Sequence, residues 1–157
     1  MRRLLLTSLL LATALLGWLV WPVAAGDGAA PLLRHEDPRT VALGRAVYDA
    51  QCAACHGADL AGQPDWRQRG PDGLLPAPPH DASGHTWHHP SEMLIALTKA
   101  GPAAMVGGGY ESAMPGFGEV LSDAEIAAAL AYIKSTWPPE IVAAHDEIDA
   151  RHAAGRP

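Results

Sequence analysis

Apolar residues in this chain fall into one long block and three periodic stretches. The block runs from Leu4 to Val20, with Arg2 and Arg3 before it and the small-residue run Val23-Ala24-Ala25 after it. A basic start, an apolar centre and a small-residue cleavage site make an export signal, cut before Gly26. Trp18 and Trp21 near its end would also suit a retained single membrane anchor, although Pro22 and the small residues favour cleavage. Either outcome places the rest of the chain outside the cytoplasm.

The first periodic stretch puts Val41, Gly44, Tyr48 and Cys52 along one side of a helix, with Asp37 as N-cap and Pro38 in the first turn. Gly57 is available as its C-terminal stop. The second runs from Pro90 to Ala100, closed by Gly101, and turns Met93, Leu94 and Leu97 inward. Ser122 and Glu125 form a capping box ahead of the third, where Ile126, Leu130, Ile133 and Trp137 recur at helical spacing until Pro138-Pro139. Glu140 to His152 reads as a short, mostly polar helix lying on the surface or fraying. Between the first two helices, residues 57 to 88 carry five prolines and several glycines, which predicts a long irregular loop. A loop of that length is uncommon unless it has a ligand to wrap. The chain thus divides into a signal peptide or anchor (1–25), a Gly, Ala and Pro-rich linker (26–36), one domain (37–138) and a C-terminal extension (139–157). With few β-branched runs and a single Phe, the domain is all-α, and its own apolar core is thin.

Charge removes one class of partner. The 157 residues hold 11 Lys plus Arg against 17 Asp plus Glu, and nucleic acid calls for the opposite balance. An acidic surface instead suits a basic docking face on a protein partner.

The chemistry is concentrated in residues 52 to 56, Cys-Ala-Ala-Cys-His, which hold the chain's only two cysteines. If this segment is the last turn of a helix, Cys52, Cys55 and His56 share one face. Two thioether bonds can then grip a porphyrin edge while the imidazole reaches the iron, the arrangement of a covalently attached c-type haem. A structural zinc site would need a second Cys or His pair, and a redox dithiol would need a preceding strand where this sequence looks helical. One such motif implies one haem. His56 fills one axial position, and the other falls to a methionine: Met93 on an apolar helix face, Met105 before Gly107-Gly108-Gly109, or Met114 in Ala-Met-Pro-Gly-Phe. Met114 is the best placed, because Pro115 and Gly116 hold an extended or turning backbone that can present a thioether from a loop.

Over residues 38 to 137 the chain resembles the class I cytochromes c. The resemblance rests on Gly44-Arg-Ala-Val-Tyr48, Cys52 to Gly57, Met114-Pro115 and Leu130-Ala-Tyr-Ile-Lys134. It implies three to five helices wrapped around one haem, with the first and last crossing at Gly44 and sealed by Tyr48 and Tyr132. It also implies that the Pro78 carbonyl accepts the Nδ1 proton of His56 and that Trp87 bonds a haem propionate. The expected role is periplasmic electron transfer between redox proteins through a haem ligated by His56 and Met114, with no catalysis of its own. One departure stands out: His80, His85, His88 and His89 crowd a short loop. They could bind copper, zinc or nickel, supply a ligand in place of Met114, or simply cap, bond propionates and face solvent. A haem subunit of a specific oxidoreductase, a haem enzyme with one open site and a metal-handling module are the alternatives.

Overall fold

A computed structural model describes residues 32–155, so the proposed signal or anchor (1–25) lies outside the described residues. Helix α1 (Pro38–Gln51) starts where Asp37 accepts a hydrogen bond from the Arg39 amide, with Pro38 in its first turn. A second, single-turn helix, α2 (Ala53–His56), continues from it through Cys52, whose backbone still carries the ladder: its amide donates to Tyr48 and its carbonyl accepts from His56. The long loop follows, broken only by a 3₁₀ turn at Thr86–His88. Then come α3 (Ser91–Ala100), the short α4 (Pro102–Val106), α5 (Asp123–Ser135) and α6 (Pro139–Ala153). Both halves of the Ser122–Glu125 capping box are formed at the start of α5. The described residues are therefore all helix and loop, and the count rises to six because α2 and α4 are single turns.

The frame is the crossing of α1 and α5. Gly44 sits against the Ala128 carbonyl and the Tyr132 side chain, so close that any β-carbon at position 44 would overlap Ala128 backbone. Tyr48 is fully buried beside the crossing, its ring 5.5 Å from that of Tyr132 and its hydroxyl donating to the Gly57 carbonyl at 2.8 Å. Ile126, Leu130, Ile133 and Trp137 of the α5 stretch join Tyr48, Leu60 and Leu94 in one core. A phenol buried this deeply has its pKa pushed well up, because the phenolate would lose its hydration.

Three readings of the sequence need correction. Leu33, assigned by composition to a linker, is 1% exposed and belongs to the core. Tight backbone bonds from His35 to Leu33 and from Asp37 to Arg34 fold this segment back ahead of α1. Met93, expected to face inward, is 40% exposed, whereas Ser91 and Leu94 are buried. Asp149 of α6 binds both the amide and the hydroxyl of Ser91 at 2.6 Å, and that grip sets which face of α3 turns in. Helix α6 is neither short nor frayed. Its Ile141 and Val142 pack on the core, its His145 is wholly buried, and Lys134 of α5 reaches His145 Nδ1 at 2.9 Å and pairs with Asp146.

Candidate functional site

The two cysteines and His56 lie within one turn, Cys52 partly buried, Cys55 exposed and His56 buried. Neither cysteine is in a disulfide. Burial, with Cys55 nearby, pushes the Cys52 thiol up to about 11. A redox dithiol works through a thiol with a depressed pKa, so this environment is the reverse of an activated one.

Across 22 residues of sequence, the Pro78 carbonyl lies 2.8 Å from Nδ1 of His56. A carbonyl can only accept, so Nδ1 carries the proton and Nε2 is the nitrogen left for a metal. Burial lowers the proton affinity of His56, opposed in part by that carbonyl, and the neutral ring is the form that ligates iron. The loop is brought to His56 by its own backbone: Gly62 donates to the His56 carbonyl and Gln63 to the Ala77 carbonyl, each at 2.8 Å. At Gly62 a β-carbon would lie within 2.8 Å of backbone atoms of Ala77, Pro78 and Pro79, so a side chain there would push the Pro78 carbonyl away.

His80 lies face to face with His56, ring centroids 4.0 Å apart and planes at 24°. Sequence reasoning placed it only in a histidine-rich loop; its position two residues beyond Pro78 was the available clue. Burial, with His56 and His85 nearby, holds its pKa well below the usual 6.5. The other three histidines go elsewhere. His85 stacks on Trp66 at 5.3 Å and meets His89 edge-on at 5.4 Å, while His88 stacks on Trp87 at 3.6 Å. The Trp87 indole N–H donates to the Ala82 carbonyl at a long 3.4 Å. Among the described residues, the three side chains close enough to share an ion are instead His145, Asp146 and Asp149. There the Lys134 ammonium already touches His145 and Asp146, and it takes the place a cation would need.

Met114 is half-buried in an irregular segment, and its amide donates to the Ser112 hydroxyl at 3.1 Å. Just beyond it, Phe117 donates to the Thr98 carbonyl and Gly118 to that of Lys99, both at 3.0 Å, tying the segment to the end of α3. Met105, on α4, is 42% exposed.

A family model described as Cytochrome c matches residues 41–137, from within α1 to the end of the α5 stretch. The chain belongs to the cytochrome c family. Neither the curated proteins nor the solved structures give a match. The family binds haem c covalently and uses it for electron transfer, and this cytochrome carries Cys52 and Cys55 at the attachment spacing. The residues present fit that group: two cysteines one turn apart and outside any disulfide, beside a neutral imidazole whose Nδ1 is already engaged. Helix α6 lies outside the matched residues. None of the helices described is long and apolar enough to cross a membrane.

Proposed function

We propose that this cytochrome is an exported, periplasmic monohaem electron carrier in which His56 and Met114 are the axial ligands. When bound, the haem supplies a one-electron Fe(II)/Fe(III) couple. The chain's part is to hold and tune. Cys52 and Cys55 anchor one edge through thioethers. His56 presents Nε2, and the Pro78 carbonyl fixes its tautomer and raises its basicity. Met114 would supply a thioether as the second protein ligand, which would favour the reduced state and exclude small ligands. Trp87, whose N–H is only weakly engaged, turns that donor to a propionate. Docking is weak and transient, against redox proteins with a basic face. Export rests on the Arg2-Arg3, apolar and small-residue pattern of the first 25 residues.

The observation that carries this reading is the 2.8 Å pairing of His56 Nδ1 with the Pro78 carbonyl, within a Cys-Ala-Ala-Cys-His turn. It fixes the tautomer that a metal-ligating imidazole needs, and the two cysteines at the attachment spacing beside it point to haem iron as that metal. Mass spectrometry of the mature protein, with optical spectra, tests the whole proposal. We expect one haem per chain, loss of residues 1–25, a weak far-red band in the oxidised form and no carbon monoxide binding by the native reduced protein. A chain without haem mass, or one that binds carbon monoxide rapidly, refutes the carrier.

A further inference from the structure

We infer that His80 is a positioning residue for the axial imidazole, a flat wall against which the ring of His56 is held. This rests on the reading of His56 as an iron ligand. The Pro78 carbonyl fixes one atom of that ring, Nδ1, but a single hydrogen bond leaves the ring free to rock about it. A second ring, 4.0 Å away and 24° from parallel, removes that freedom.

A wall works only if it is itself fixed, and His80 is held at three points. Its amide donates to the Leu60 carbonyl at 2.8 Å, its carbonyl accepts from the Trp137 indole N–H at 2.8 Å, and its Nδ1 pairs with the Thr86 hydroxyl at 2.8 Å. All three partners are buried. Leu60 takes φ 67°, a conformation unfavourable for a residue with a β-carbon, and local strain of this kind persists where surrounding structure over-determines it. Behind Trp137 stands His145 of α6, its ring 5.2 Å away and edge-on. The C-terminal helix, outside the matched family region, thereby backs the wall. The ring face of His80 is taken up by His56 and its Nδ1 by Thr86. His80 is therefore a support for His56 and not a rival to Met114.

The test uses the full-length holoprotein and two readouts of the bound haem. One is the spread of haem-methyl proton shifts in the oxidised form, which follows the orientation of the axial imidazole plane. The other is the equilibrium constant for reduction by a reference carrier. We expect His80→Leu to retain one haem, to change the methyl pattern and to shift the equilibrium by about threefold or more. His80→Phe, which restores a flat ring, returns both towards native values. Thr86→Val, which untethers His80 without removing it, moves both in the same sense by less. A haem-loaded His80→Leu protein with both readouts unchanged overturns the inference, as does a His80→Phe protein no closer to native than His80→Leu. Should His80→Leu give no holoprotein, Thr86→Val decides, and unchanged readouts there overturn it. Native protein lacking a histidine-ligated haem would sink the parent reading as well, whereas a silent His80→Leu leaves that reading standing.

Discussion

The segments that carry the two candidate ligands are built differently. The His56 side is tied together by bonds between residues far apart in sequence: His56 to Pro78, Leu60 to His80 and His80 to Trp137. The Met114 segment has backbone bonds of similar range, from Phe117 to Thr98 and from Gly118 to Lys99, but Met114 is only half-buried, its amide bonds locally to Ser112, and the α4 beside it is exposed, whereas His56, Leu60 and Trp137 are buried. Exposed segments open at low free-energy cost, while buried bonds share the global stability. The fold thus places stability with one candidate ligand and adaptability with the other. Changes near His56 should disturb folding and chemistry together, and changes at Met114 should disturb chemistry almost alone.

The harshest way to break the comparison is to remove what both sides are expected to hold. Replacing Cys52 and Cys55 together by Ala should abolish covalent haem completely, seen as loss of the haem mass and of pigment that survives acid acetone. Next comes the frame. Gly44→Leu forces a side chain into the Ala128 backbone and must separate α1 from α5, at about 3 kcal/mol or more, in the upper range for overpacking. Thermal unfolding of the holoprotein measures it, and a loss below about 1 kcal/mol would mean that the helices do not depend on this contact.

Met114→Ala sharpens the contrast on the other side. We expect carbon monoxide to bind the reduced protein, the potential to fall by on the order of 0.1 V within the wide range that axial ligands span, and stability to change by only about 1 kcal/mol. Met105→Ala serves as the control and should leave the spectrum as it was. An unchanged spectrum in Met114→Ala would transfer the ligand role elsewhere.

The frame was legible in the sequence because each of its signals is local. Asp37 with Pro38, Ser122 with Glu125, and the spacing of Ile126, Leu130 and Ile133 all act within a few residues of chain. The Cys52 to His56 segment was legible for the same reason. The Pro78 carbonyl came only from resemblance, since nothing in a proline-rich loop says which carbonyl returns to His56. The stack of His80 on His56 had one clue, its nearness to Pro78, and the bond from Trp137 to His80 had none, because a contact across 57 residues leaves no periodic trace. Helix α6 was misjudged because hydropathy counts a polar helix as a surface helix. Its docking is largely polar, through Lys134, His145 and the Ser91–Asp149 pair, and among the described buried side-chain atoms only His145 Nε2 is left without a partner.

That polar docking gives the smallest expected effect, a pH dependence that separates α6 from the haem chemistry. His145 is buried between α5 and α6, facing Lys134, Asp146 and Asp149 with the His89 backbone alongside. Burial first, and then the Lys134 ammonium, lower its pKa below the ordinary 6.5, against the opposing pull of the two carboxylates and the nearby His89 backbone. The folded protein therefore keeps this ring neutral at a pH where the unfolded chain takes up a proton. Stability is complete above about pH 6.5 and declines as the pH falls through that value towards the lower folded pKa. His80 acts in the same direction for the same reason, burial. His145→Gln should flatten the decline in thermal unfolding temperature between about pH 7 and pH 5 without abolishing it, and should leave the optical spectrum at pH 7 unchanged. A variant with the native slope would show that the proton goes elsewhere, and one with a changed spectrum would show that α6 reaches the haem site more directly than through Trp137.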